Sequence, residues 1–267
     1  MTLDRIAARD AQIDTHLFLL CPNNSGSTYL SSAIARSQHV LSLAKEGQHM
    51  FGFAGPHTRN SPFALVWGGT PEGLATFADG DYDWKRTKKA WYFHAEGAED
   101  ANVFHTRSPP FLLVSDQLRA NFRDARFILM VRDPYATLEG IVRRRRGAAE
   151  DLPLTDLPTV AARHLVTCFE KQRANRETLA GCSTFFTYEA LCADPQAVAA
   201  QVEDLLPQLG DLDLSQRLRV KGMYDEPLRD MNEEQISRLS PEDIAAANAV
   251  FEQHEDLLTQ FGYALRR

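Results

Sequence analysis

The chain has 267 residues, 44% of them hydrophobic, enough for one large domain or two small ones around a substantial core. Its formal net charge of −7 argues against a dedicated nucleic-acid binder while leaving room for a local basic pocket that holds a small anion. No apolar run reaches the roughly 18 residues of a membrane span, and the charged segment MTLDRIAARDAQID has no apolar centre of a secretory signal. Four widely spaced cysteines, Cys21, Cys168, Cys182 and Cys192, show no CxxC pairing. They read as reduced thiols of a cytoplasmic protein, not as a disulfide frame or a zinc site, and no metal is expected.

In chain order, His16–Cys21 (HLFLLC) is a short apolar run with the pattern of a buried parallel strand. Ser27–Ser37 fits a helix, and Val40–Leu43 a second short strand. Residues 52–102 mix Gly, Pro, Trp and charges with weak periodicity, as expected of a long insertion with short helices. Its aromatics, Trp67, Tyr82, Trp84, Trp91, Tyr92 and Phe93, either line a lid or acceptor pocket or form a packed layer over the sheet. Asn102–His105 reads as a strand, Pro110–Phe122 as a helix and Arg126–Val131 (RFILMV) as the clearest strand. Asp133 and Pro134 are placed to cap and start a helix that runs to about Arg146, where Gly147 ends it. Thr159–Leu179 is a long amphipathic helix and Thr184–Tyr188 another strand. Asp194-Pro195 opens one further helix, and Ser240-Pro241 the last, with Glu242 and Asp243 in its first turn. Strands alternating with helices give an α/β fold in a single domain over 1–267, its mostly parallel sheet covered on both faces. Ligands of such sheets sit beyond the carboxyl ends of the strands.

Four segments carry candidate chemistry. In Asn23–Thr28 (NNSGST), Gly26 permits a tight turn, hydroxyls can donate to anionic oxygens, and a helix begins. The segment is either an anion-binding loop or an ordinary capped turn; it has no Lys and no Walker A spacing. Arg132 ends the strongest strand, where its fork of donors suits a phosphate, unless it simply pairs with an acid. The run Arg143–Arg146 reads as a solvated helix end, with one arginine free to face a ligand. Lys221-Gly222 puts a cation beside a turn, and Lys45, Glu46 and His49 follow the second strand, where Glu46 or His49 can serve as a general base unless the segment is merely a charged loop.

Taken together, these segments resemble the sulfotransferase family, which uses 3′-phosphoadenosine 5′-phosphosulfate (PAPS) and releases PAP. The resemblance spans most of the chain. Asn24–Tyr29 looks like the family's 5′-phosphosulfate loop, and Ser108–Pro134 with its RDP is similar to bacterial members. Phe186–Pro195 (FTYEALCADP), with Tyr188, looks like the family's Tyr-Glu-x-Leu segment, and RVKG like its late Arg-Lys-Gly turn. The resemblance implies a P-loop-kinase-like three-layer α/β sandwich and metal-independent sulfuryl transfer. It places Asn24, Ser25, Gly26, Ser27, Thr28 and Tyr29 around the phosphosulfate. Arg132, Gly140, Tyr188, Lys221 and Gly222 fall around the rest of the nucleotide, and Glu46 is the base, with His49 competing and Lys45 beside it.

Two positions depart from the family. Asn24 stands where a Lys or Arg usually precedes the Ser-Gly, which leaves Lys45, Arg107 or Lys221 to supply a cation. Gly140 stands where a Ser usually binds the 3′-phosphate, with Thr137 one turn earlier. The acceptor is expected to be a small molecule or glycan hydroxyl or amine, with no nucleic acid or membrane partner, and the acidic surface speaks against a heavily anionic polysaccharide. A non-catalytic PAP-binding protein, and a small-molecule kinase that would need a loop Lys and a magnesium-binding acid, are the alternatives.

Overall fold

The computed structural model describes residues 2–49, 62–78, 80, 82–147, 156–220, 224–226 and 228–267. Its main sheet contains β1 (Thr15–Leu20), β2 (Val40–Ser42), β3 (Glu96–Gly97), β4 (Val103–Arg107), β5 (Ala125–Val131) and β6 (Ser183–Thr187). β7 (Leu218–Val220) and β8 (Tyr224–Glu226) form a separate antiparallel pair. The helices are α1 (Thr2–Gln12), α2 (Ser27–Ile34), α3 (Pro71–Ala78), α4 (Trp84–His94), α5 (Ser115–Asn121), α6 (Pro134–Arg146), α7 (Leu157–Thr178), α8 (Tyr188–Ala193), α9 (Pro195–Leu205), α10 (Asn232–Ile236), α11 (Pro241–Phe251) and α12 (Glu255–Gln260). The order in the main sheet is β3-β2-β4-β1-β5-β6. Within that sheet, only the β2–β3 pair is antiparallel among the described strands.

The sequence explains why the sheet is covered on both sides. β1 and β5 are apolar without alternation, so each face finds a core. Phe18 and Leu20 with Phe127 and Leu129 pack among Trp84, Trp91 and Tyr92 of α4 and Phe111 and Phe122, which flank α5. Leu17 and Leu19 with Ile128 and Met130 pack against Leu30 and Ile34 of α2 and Val198 and Val202 of α9. A third cluster joins α6, α7 and α11 around Tyr135, Leu165, Phe169 and Phe251. No described helix is long and apolar enough to cross a membrane.

Several elements differ from the sequence reading for local reasons. The stretch read as one helix from Pro110 splits into a 3-10 turn, Pro109–Leu113, and α5, because Val114 leaves helical backbone angles (φ −121°). Tyr188 starts α8 instead of ending β6, because the Thr187 side chain accepts the Ala190 N–H and caps a helix there. The helix start at Asp133-Pro134 and the Ser240/Asp243 capping box form as the sequence indicates. Trp67, Tyr82, Trp84, Trp91 and Tyr92 are buried in the core, and of the six aromatics only Phe93 is exposed, at 39%. The five buried side chains belong to a packed layer, not to an open aromatic pocket. Residues 52–61 of the same segment lie outside the described residues.

Three histidines are built into this core as neutral rings. His16 Nδ1 donates to Arg123 O and Nε2 accepts from the Tyr92 hydroxyl, each at 2.7 Å. His105 Nδ1 donates to Leu17 O and Nε2 accepts from Ser31. His164 Nδ1 accepts the Gly68 N–H. Burial pushes His16 down to about 4, and His105 and His164 down to about 3. Folded values below the unfolded one mean that the unfolded chain takes up protons first as pH falls below about 6.5. The stability from neutral burial is present above pH 6.5 and is lost between about 6.5 and 3. Urea unfolding should therefore show a free energy that falls by up to roughly 1.4 kcal/mol per pH unit for each ring. A flat profile between pH 7 and 4 would contradict the neutral assignment.

Candidate anion-binding site

The carboxyl ends of the parallel strands gather the segments singled out by sequence. The 22–28 loop follows β1, Lys45–His49 follow β2, Arg107 ends β4, Arg132 follows β5, and Tyr188-Glu189 follow β6. β1 lies between β4 and β5, where strand order reverses, so its loop sits at the crevice that such sheets leave for ligands.

The loop turns sharply. Asn24 (φ 60°) and Gly26 (φ 84°) both adopt left-handed backbone. Between them Ser25 is buried, its hydroxyl donating to Pro22 O at 2.9 Å. Gly26 caps α2, and the Tyr29 N–H already bonds back to Gly26 O. Asn23 and Asn24 form a hydrogen-bonded turn that directs the Ser25 N–H back toward Pro22 O, while the N–H groups of Gly26, Ser27 and Thr28 find no acceptor among the described residues. A concave run of unpaired N–H groups at a helix start attracts an anion through both donors and dipole. Gly26 is required twice over: a Cβ there would lie 2.6 Å from the Tyr188 ring, besides the strained φ. The Tyr29 hydroxyl turns away from the loop and lies 2.8 Å from both Leu214 O and Gln216 O.

Arg132 is buried at 5% exposure. Its Nε donates to Asn232 Oδ1 at 2.7 Å, NH1 to Asn24 O at 3.0 Å and NH2 to Gln235 Oε1. Its guanidinium also stacks 4.1 Å over the Tyr188 ring, whose hydroxyl donates to Arg229 O. No carboxylate lies within ion-pair distance of Arg132 among the described residues. Glu189 stands one step back. Its Oε1 accepts from Asn232 Nδ2 at 2.6 Å and from the Asp133 N–H at 2.8 Å, and its Oε2 accepts from the Tyr263 hydroxyl. The acid thus orients the amide that orients the arginine, and the arginine keeps its charge uncompensated.

The two family departures touch each other. A Cβ on Gly140 would lie 3.0 Å from both Cβ and Cγ of Asn24. The Asn24 side chain therefore fills the space a residue-140 side chain would need. Arg144 NH1 donates to Asn24 Oδ1 at 3.1 Å, and Asn24 Nδ2 is buried without an acceptor among the described residues. Thr137 lies within α6 and its hydroxyl donates back to Asp133 O at 2.9 Å, so it does not replace a residue-140 hydroxyl.

On the β2 side, Gly47 O accepts from Trp91 Nε1, and the Gln48 N–H donates to Ser108 Oγ, which pins the segment to the core. Glu46 Oε2 accepts from Gln48 Nε2 at 2.6 Å and lies 3.6 Å from His49 Nε2, so the two candidate bases are neighbours. Lys45 is exposed. Burial lowers the pKa of Arg107, partly offset by nearby Glu46, and its Nε has no partner among the described residues. Lys221 and Gly222 lie outside the described residues. Sequence reasoning missed Asn232, Gln235 and Tyr263, which lie about a hundred residues or more from Arg132 and carry no local signature.

A model of the sulfotransferase family matches residues 17–208. The chain belongs to that family. Among solved structures, the chain is similar to the sulfotransferase STF9 from Mycobacterium avium (TM-score 0.59, 15% identity), covering 99% of this chain and 81% of that one. It is also similar to the sulfotransferase domain of the curacin biosynthetic pathway (0.55, 17%), covering 96% and 100% of the two chains. A third is the sulfotransferase domain of the Synechococcus PCC 7002 olefin synthase (0.54, 18%), covering 89% and 94%. At these identities the likeness is one of fold. No curated protein matches the chain.

The Asn24–Gly140 contact predicts a coupled pair. Gly140→Ala should destabilise the protein in the presence of Asn24. With Asn24→Gly, the same change should stabilise it by up to about 1 kcal/mol, through helix propensity. A denaturation double-mutant cycle should give a coupling of roughly 1 kcal/mol; additive effects would show that the two residues do not compete for space.

Proposed function

We propose that this sulfotransferase moves a sulfuryl group from PAPS to a hydroxyl or amine of a small-molecule or glycan acceptor. The carrying observation is a buried Arg132 held, among the described residues, by neutral acceptors, beside a loop where the N–H groups of Gly26, Ser27 and Thr28 have no acceptor among those residues. The residues present fit such a donor: cationic and N–H donors face one sheet edge, and these donors lack anionic partners of their own among the described residues. When bound, PAPS supplies an activated sulfuryl group with PAP as the leaving portion.

The chain's own residues then divide the work. The N–H groups of Gly26, Ser27 and Thr28 hold the 5′ end through the helix start, and Arg132 binds the 3′-phosphate with its remaining donors. Tyr188 packs over Gly26 and under Arg132, so it fixes the spacing between the two anion sites. Glu46 accepts the proton of the acceptor: its Oε2 is held by Gln48, while Oε1 has no partner among the described residues. His49 is close enough to share that proton. Arg107, half-buried at the end of β4 and near Glu46, is the cation best placed to face charge that develops near the loop. A protein that binds PAP without transferring anything is the second reading, favoured by the neutral Asn24 in the loop.

Calorimetry with PAP, with ATP as control, tests the site without a known acceptor. PAP should bind in the micromolar range, and Arg132→Ala should weaken it at least tenfold. No PAP binding by the native protein would overturn the proposal. Once an acceptor is found, Glu46→Gln should lower turnover about a hundredfold or more with PAP affinity nearly unchanged. Native turnover in the Glu46→Gln enzyme would remove Glu46 from the mechanism. PAP binding with no transfer to any acceptor would select the binding-protein reading.

A further inference from the structure

The run Arg143–Arg146 does not behave as one solvated patch. Arg143 pairs with Glu139 at 2.8 Å, and Arg146 makes two bonds to Asp243 at 2.6 and 2.9 Å. Arg145 is buried at 3% exposure and donates to Ala64 O. Arg144 differs from all three. It is exposed, it has no carboxylate within ion-pair distance among the described residues, and NH1 reaches Asn24 Oδ1 in the loop.

Three separate features bring it there. Gly140, one turn earlier on α6, has no side chain, so the helix lies flush against Asn24. Asn24 takes left-handed backbone and turns its amide toward α6. The Asn24 carbonyl meanwhile accepts from Arg132 NH1. Two guanidiniums, each without a carboxylate among the described residues, therefore dock on one neutral residue, Arg132 on its backbone and Arg144 on its side chain. An anion placed beside both would be attracted by two cations at once. The loop itself, residues 22–28, contains no cation.

We propose that Arg144 is a phosphate-binding residue of this chain. From α6, it shares with Arg132 the phosphate that Arg132 faces. Asn24 holds one N–H of its guanidinium, and the others, which have no acceptor among the described residues, can donate to phosphate oxygens. The inference rests on the PAP reading above.

The test is calorimetric titration of the full chain with PAP and with adenosine 5′-phosphate, each at low and moderate salt. Arg144→Gln keeps the length and removes the charge. It should weaken PAP at least tenfold and flatten the salt dependence of PAP binding, while adenosine 5′-phosphate affinity changes less than twofold. Arg144→Lys should recover part of the loss. Arg143→Gln, on the same helix, should bind PAP within twofold of native. The residue is exposed, so thermal melting should confirm an intact fold. Native PAP affinity in Arg144→Gln overturns the inference while leaving the site reading intact. Equal loss for both nucleotides overturns the pairing with Arg132. No PAP binding by the native protein overturns the site reading and this inference together.

Discussion

A charged guanidinium taken out of water is costly unless it is paired or fully hydrogen-bonded, and Arg132 is buried without an acid among the described residues. The structure meets this constraint with neutral acceptors: one backbone carbonyl from the β1 loop and two amide oxygens from α10. Much of the surrounding architecture follows from that choice. Asn232 can serve Arg132 only because Glu189 holds its other end, and Glu189 is in turn held by Tyr263 and the Asp133 N–H. The carboxylate acts through the amide. A direct ion pair would satisfy the arginine internally and remove the attraction it offers to an outside anion.

The sheet makes this arrangement possible. Its parallel strands deliver their carboxyl ends to one edge, so residues from five separate segments meet without any long-range loop having to find them. Burial on both faces fixes strand register, since a shift by one residue would move Phe18 or Leu19 into the wrong core. The precision of the site is inherited from that register. Tyr188, stacked against Gly26 on one side and Arg132 on the other, transmits it from β6 to the loop after β1.

Much of this was legible from sequence. The strongly apolar runs at 16–21 and 126–131, the Asp-Pro and Ser-Pro helix starts and the small-residue loop are local signals, and local signals survive folding well. The family departures at Asn24 and Gly140 were equally visible as single letters. That they form one contact was not, because 116 positions separate them and only the approach of α6 to the loop joins them. The same holds for Asn232 and Gln235, which lie in the polar stretch MNEEQ with nothing to distinguish them from a solvated helix turn. The aromatic segment was open to two readings because Trp and Tyr suit both a core and a binding surface; burial against β1 and β4 decides for the core at Trp91 and Tyr92.

Under the proposed function, Arg132 stands without an acid among the described residues so that it can hold a phosphate. The most direct measurement is the PAP affinity of Gln235→Glu, which changes one atom group and places a carboxylate on Arg132 where an amide oxygen now sits. The account predicts at least a tenfold loss of PAP affinity at neutral pH, with thermal stability equal to or above that of the native chain. A Gln235→Glu protein that folds normally and binds PAP as tightly as the native one would contradict it.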